Sequence, residues 1–122
     1  MTGKLILIVE DNPRDLKLVR EVLQVNGFQT LEAATGEDAI KLAQERAPAL
    51  ILMDIQLPQM SGREAAKVLK ADSKTQRIPI VALTASAMKG DREALLAEGF
   101  DGYIGKPINI KEIAEIVRSY LT

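Results

Sequence analysis

Lys4-Leu5-Ile6-Leu7-Ile8-Val9-Glu10-Asp11-Asn12-Pro13 is the stretch that decides the fold. Its apolar run is continuous rather than alternating and is rich in β-branched residues. That is the pattern of a strand buried on both faces, and so of a central strand in a parallel sheet. Two acids follow, and then Asn12-Pro13, a helix N-cap with proline at the first helical position. Leu16, Val19, Val22 and Leu23 line one face of the ensuing helix, which Gly27 ends. Strand, acidic turn and helix together make one βα unit.

Outward from this unit, strand-like and helix-like stretches keep alternating. Phe28 to Ala33 is a weaker strand, Leu50 to Asp54 and Ile78 to Leu83 are nearly all apolar, and Gly102-Tyr103-Ile104 is a short fifth strand. Thr35, with Asp38 three residues on, caps a helix running to about Arg46. Ser61-Gly62-Arg63-Glu64 fits a capping box ahead of Val68 and Leu69. A helix containing Leu95 and Leu96 ends near Gly99, a C′ glycine. Asn109 with Glu112 opens the last helix. At about 100° per residue its Ile110, Ile113, Ile116, Val117, Tyr120 and Leu121 face the core, and Lys111, Glu112, Glu115 and Arg118 face solvent.

The order is (βα)₅, which implies an α/β fold with a parallel sheet and helices on both faces. No internal repeat, low-complexity tract or linker interrupts the 122 residues, so residues 1–122 read as one free-standing domain. Hydrophobic residues at 47% and charged ones at 27% suit a globular protein and argue against disorder. A formal net charge of -1 leaves no basic footprint for nucleic acid and no polybasic membrane patch. Leu5 to Val9 is too short for a signal segment or a membrane span, so the expected location is cytoplasmic.

The absences narrow the chemistry further. With no cysteine, disulfides, thiolate metal sites and cysteine nucleophiles are excluded. With no histidine, Ser-His-Asp catalysis, histidine metal sites and a phosphohistidine of the chain's own are excluded as well. Any reaction must run on carboxylates, lysine and hydroxyls.

Ligands of open parallel sheets bind beyond the carboxyl ends of the strands. There the first strand delivers Glu10 and Asp11, the third Asp54, the fourth Thr84 and Ala85, and the fifth leads through Tyr103 to Lys106-Pro107. Taken singly, each has a plainer reading. Glu10-Asp11 could favour the following helix electrostatically, Asp54 could form a turn before Leu57-Pro58, and Thr84 could cap a helix. Lys106 could be surface decoration, and Tyr103 a half-buried aromatic. Placement argues otherwise, because independent caps need not gather at one end of adjacent strands. Three crowded carboxylates repel one another and need a cation, and an oxygen-only ligand set suits Mg²⁺. A lysine and a hydroxyl beside them could stabilise phosphoryl transfer to a carboxylate oxygen, with Asp54 as acceptor.

"LIVEDN", "LILMDIQLP", "SG", "IPIVALTA" and "DGYIGKPI", in this order and spacing, resemble the receiver domain of two-component response regulators over the whole chain. "LTASAMKGD", with no output domain after it, most resembles the DivK-type single-domain regulators. The resemblance implies a flavodoxin-like five-stranded sheet of order 2-1-3-4-5. It implies Asp54 as phosphoacceptor, with Mg²⁺ (which Mn²⁺ could replace) held by Glu10, Asp11, Asp54 and the backbone carbonyl of Gln56. It further implies Thr84 as switch hydroxyl, Ala85 as the small neighbour that leaves room for phosphate, and Tyr103 as switch aromatic. Lys106 matches the lysine that pairs with the phosphoryl group, and its bond to Pro107 is cis in the family. Gln56, Ser86 and Gly105 occupy positions that vary among receivers; in the family, those of Gln56 and Ser86 tune dephosphorylation.

The implied partners are a sensor histidine kinase or histidine phosphotransfer protein as donor, and a downstream protein reading the face of the fourth helix, fifth strand and fifth helix. Neither nucleic acid nor membrane is implied, and the chain would be a monomer or a weak phosphorylation-dependent dimer. One rival keeps the switch but makes the chain a receiver excised from a larger regulator or hybrid kinase, which a start at Met1 disfavours. Haloacid-dehalogenase-like phosphatases also place a nucleophilic Asp after a strand, but they need a second acid where this chain has Gln56. A flavin-binding module would need a hydroxyl- and glycine-rich loop where this chain has "VEDNPRD", whose acids would repel a flavin phosphate.

Overall fold

The structure is a computed structural model that describes residues 4–85 and 89–121. Its elements run β1 (Leu5–Val9), α1 (Pro13–Val25), β2 (Gln29–Ala33), α2 (Gly36–Arg46), β3 (Leu50–Asp54), α3 (Gly62–Ala71), β4 (Ile80–Thr84), α4 (Lys89–Ala97), β5 (Gly102–Gly105) and α5 (Ile110–Leu121). The five strands form one parallel sheet in the order β2-β1-β3-β4-β5. The (βα)₅ reading and its implied strand order therefore hold.

The helix starts form as their cap residues dictate. Asn12 Oδ1 accepts from the backbone N–H groups of Arg14 and Asp15 at 2.9 and 3.2 Å, with Pro13 leading the first turn. Thr35 accepts from the N–H of Asp38, and Ser61 and Glu64 make both bonds of the capping box. Asn109 Oδ1 accepts from the N–H groups of Lys111 and Glu112. Gly27 and Gly99 take positive φ of 88° and 104° just past α1 and α4, a conformation that glycine adopts without a Cβ penalty.

Strand side chains divide by the period of two into separate cores on the two sheet faces. Leu7, Val9, Ile51 and Met53 pack with Ala39, Ala43, Ala65 and Leu69 of α2 and α3, joined by Leu95 of α4. Ile6, Ile8, Leu50 and Leu52 pack with Val19, Leu23, Ile113 and Val117 of α1 and α5.

One expectation for α5 is corrected. Ile110 falls on the apolar side by angle, yet it is 54% exposed, because it lines an open cavity between α1 and α5 with Leu18 and Val22. Elsewhere on that stripe Ile113 and Val117 are buried, and Ile116, Tyr120 and Leu121 are partly so. Among its described side chains, the attachment of α4 is sparse. Of its described side chains only Leu95 is buried, while Leu96 is 45% exposed. Glu98 pairs with Arg63 of α3, and the Arg92 guanidinium stands over the Tyr103 ring at 5.9 Å from its centroid.

Register brings the strand ends together. Val9 lies opposite Met53, Asp54 opposite Leu83, and Thr84 opposite Gly105. After β3 the chain turns back, and the Gly62 N–H donates to the Ile55 carbonyl at 2.8 Å. A Cβ on Gly62 would collide with the Asp54 carbonyl oxygen and stand 2.8 Å from Ile55 Cα. Both obstacles are backbone, so no side chain can yield. Gly62→Ala is expected to lower unfolding free energy by about 2–3 kcal/mol in urea titration, the upper range for overpacking. A loss under about 0.5 kcal/mol, the ordinary surface-mutation range, would show that the close approach is not a constraint.

Candidate functional site

Three of the sequence-derived acids meet at the point where the chain, having gone from β1 out to β2, returns to β3 on the other side. That reversal leaves a crevice beyond the strand ends. Glu10, Asp11 and Asp54 can each bring one carboxylate oxygen to within 4.8 Å of the others. Glu10 and Asp54 are buried, at 1% and 5% exposure, while Asp11 is exposed.

Local structure fixes both buried acids. Glu10 donates its backbone N–H to the Ala33 carbonyl at 3.0 Å, and its Oε2 accepts from the Asn12 N–H at 3.2 Å. Asp54 Oδ1 accepts from the Gln56 N–H at 3.0 Å, and Oδ2 from Lys106 Nζ at 3.2 Å. Thr84 is buried at the end of β4, and its carbonyl accepts the Lys106 N–H at 2.7 Å, which brings the lysine to the same edge. Ala85 is exposed beside it, and Tyr103 is half-buried against the α2/α3-side core. The Lys106-Pro107 peptide bond is cis, as the family resemblance implies. Ser86 lies outside the described residues.

The lysine is the electrostatic centre. Lys106 Nζ lies 2.9 Å from Glu10 Oε1, 3.2 Å from Asp54 Oδ2 and 3.4 Å from Asp15 Oδ2. Burial pulls its ammonium pKa down, but the Glu10 and Asp54 carboxylates outweigh this and hold it above the usual lysine value. Glu10 moves the other way. Burial, and then the neighbouring Asp54 carboxyl, push its carboxyl up to about 7, against the opposing pull of Lys106 and the Asn12 N–H.

Asp15 was absent from the sequence-derived site, because a single acid in a first helical turn reads as a favourable dipole partner and nothing more. Arg92 was missed as well, since its contact with Tyr103 depends on how α4 packs against β5. The Asn12 N–H on Glu10 could have been found, because the backbone just before a helix commonly bonds to a nearby acid.

The donor set fits a hard divalent cation. It is all oxygen and clustered at one point, and one ammonium stands against four carboxylates. Glu10 Oε1 is buried, and although Lys106 is close, no donor among the described groups is directed at it as a hydrogen bond. A buried carboxylate oxygen without a directed donor is costly unless a proton or a metal takes it up.

Comparison with known proteins follows the same lines. The family described as the response regulator receiver domain matches residues 6–118. The polar-differentiation response regulator DivK of Brucella ovis is 46% identical over 118 residues, covering 97% of this chain and 96% of that protein. The receiver domain of sensor histidine kinase PA1611 from Pseudomonas aeruginosa PAO1, solved with a magnesium ion coordinated in its active site cleft, is 35% identical. It superposes with a TM-score of 0.90 and 98% coverage of both chains. Chemotaxis response regulator CheY4 of Vibrio cholerae superposes with a TM-score of 0.93 at 28% identity, covering 98% of this chain and 100% of that one.

The Glu10 shift has a testable sign. A carboxyl raised from 4.5 to about 7 on folding contributes stability that is fully present below about pH 4.5 and is lost as pH rises through about 7. Without divalent cations, Glu10→Gln is therefore expected to gain in melting temperature over the parent as pH is raised from about 5 to about 8. Melting followed by circular dichroism in chelator reads the difference. A gap between the two proteins that stays flat over this range would remove the raised pKa from the account.

Proposed function

The chain belongs to the response regulator receiver domain family, and on that footing we propose that it is a single-domain phosphorylation switch with Asp54 as its phosphoacceptor. One observation carries the reading: a buried aspartate shares its crevice with two further acids and accepts a hydrogen bond from Lys106. Receiver domains take phosphate from histidine kinases or phosphotransfer proteins and act on downstream partners. These 122 residues contain no histidine, so a phosphohistidine donor lies outside them.

Glu10, Asp11 and Asp54, with the Gln56 backbone carbonyl, would hold Mg²⁺ in this reading. The ion supplies charge neutralisation at the phosphoryl oxygens and an ordered approach of donor and acceptor. The chain's own groups do the rest. Asp54 presents a carboxylate oxygen whose new bond to phosphorus forms as the phosphorus–nitrogen bond of the donor breaks, and the imidazole leaves with that electron pair. The Gln56 N–H and Lys106 orient the acceptor, one on each oxygen. Ala85, lacking a side chain beyond Cβ, leaves space for the phosphoryl group. Lys106 and the Thr84 hydroxyl then answer the new negative charge. The change at Thr84 biases the Tyr103 ring, and with it the face of α4, β5 and α5 that a protein partner reads. A shallow cavity of about 230 Å³ on that face, lined by Arg92, Leu96, Tyr103 and Ile116 among others, gives such a partner a partly apolar footing. The chain acts as a switch that is itself modified, not as an enzyme turning over a separate substrate.

Incubation with acetyl phosphate and Mg²⁺ followed by intact-mass measurement tests this. A single phosphoryl adduct is expected on the parent chain, lost in Asp54→Asn and in chelator. An adduct of equal yield on Asp54→Asn would assign the acceptor elsewhere.

A further inference from the structure

Two sets of three carboxylates overlap in the crevice. Lys106 pairs with Glu10, Asp54 and Asp15. The acids able to share a metal are Glu10, Asp11 and Asp54. Glu10 and Asp54 belong to both sets, and Asp15 belongs to the lysine alone. We propose that Asp15 is a positioning residue, which keeps Lys106 at the phosphoacceptor when Glu10 and Asp54 are engaged by a divalent cation.

The physical argument is a competition for lone pairs. Carboxylate oxygens that ligate a dication offer little to an ammonium, and the two cations repel each other at this range. Without another anion, the lysine's hold on two of its three partners would weaken and it would swing toward solvent, since its side chain is already 19% exposed. Asp15 opposes that swing from the α1 side of the crevice. Its backbone is held by the Asn12 cap, and its carboxylate is only 26% exposed, so screening by water is partial. Its contact is the longest of the three, 3.4 Å against 2.9 and 3.2 Å. Its contribution therefore grows only as the other two acids are drawn away.

The inference rests on Asp54 as the acceptor and on the metal set above, and the experiment separates the two levels. Parent, Asp15→Ala, Asp15→Asn, Lys106→Ala and Asp15→Ala/Lys106→Ala chains are treated with acetyl phosphate at saturating Mg²⁺. The bond from Asp54 oxygen to phosphorus forms as acetate leaves, and the initial rate is read by intact mass. If the parent chain gains no phosphoryl group, the reading of Asp54 fails, whatever Asp15 does.

With the parent active, Asp15→Ala is expected to be slower by about tenfold and Asp15→Asn by about threefold, because an amide oxygen can still accept from an ammonium. In the Lys106→Ala background, read over a longer time course, Asp15→Ala should add nothing. A second readout needs no phosphorylation: acetic anhydride labelling of Lys106, followed on its peptide by mass spectrometry. Asp15→Ala should raise the labelling rate several-fold with Mg²⁺ present and change it little without. Affinity for Mg²⁺, measured by calorimetry, should stay within about threefold of the parent. The proposal is overturned by a parental phosphorylation rate in Asp15→Ala, by an undiminished effect without Lys106, by Lys106 labelling indifferent to Asp15, or by a loss of Mg²⁺ affinity as large as that of Asp11→Asn.

Discussion

A single ammonium among four carboxylates is the constraint around which the molecule is arranged. Lys106 touches three of them, and Asp11 stands within reach of Glu10 and Asp54. The excess of negative charge cannot be relieved from inside the fold, because the acids lie at the seam where the two cores end and no second lysine or arginine reaches them among the described residues. Glu10 registers the strain as a carboxyl that holds its proton to about 7. The parallel sheet makes this crowding affordable: backbone ladders and two apolar cores fix the strand ends whether or not the charges are content.

The same scaffold explains why the acids are so close. A parallel strand delivers its next residue at the edge where its neighbours deliver theirs, and register decides which residues become neighbours. Val9 opposite Met53 makes Glu10 and Asp54 adjacent, and Thr84 opposite Gly105 makes Lys106 the next group along. The loop after β3 then folds back over Asp54 through Gly62, the only side-chain-free residue in that turn. The Asp54 carboxylate therefore sits on backbone already fixed by the sheet, and only its oxygens remain to be negotiated.

Much of this was legible in the residues. Continuous apolar runs gave the buried strands, the caps at Asn12, Thr35, Ser61 and Asn109 gave the helix starts, and the glycines at 27 and 99 gave two ends. The residues at the strand ends were found because a parallel sheet collects them in one place. What stayed hidden depended on tertiary reach. Asp15 is four residues past Asp11 on a helix and looks like any acid in a first turn until Lys106, ninety-one residues on, is seen beside it. Ile110 obeys the helical period yet is exposed, because periodicity gives a direction and cannot say whether a neighbouring element closes over it. Arg92 over Tyr103 is likewise a matter of where α4 lies, which the α4 pattern leaves open.

The sparse anchoring of α4 has a consequence for how such a domain diversifies. With Leu95 the one described side chain of α4 that is buried, the outward positions carry almost none of the folding energy and none of the acid cluster. Substitutions there are close to neutral for stability, since surface changes away from caps and cores usually cost little. A lineage can therefore rewrite the outward face of this helix while the acid cluster and the two cores stay untouched, so that duplicated copies keep one fold and differ in the surface they present.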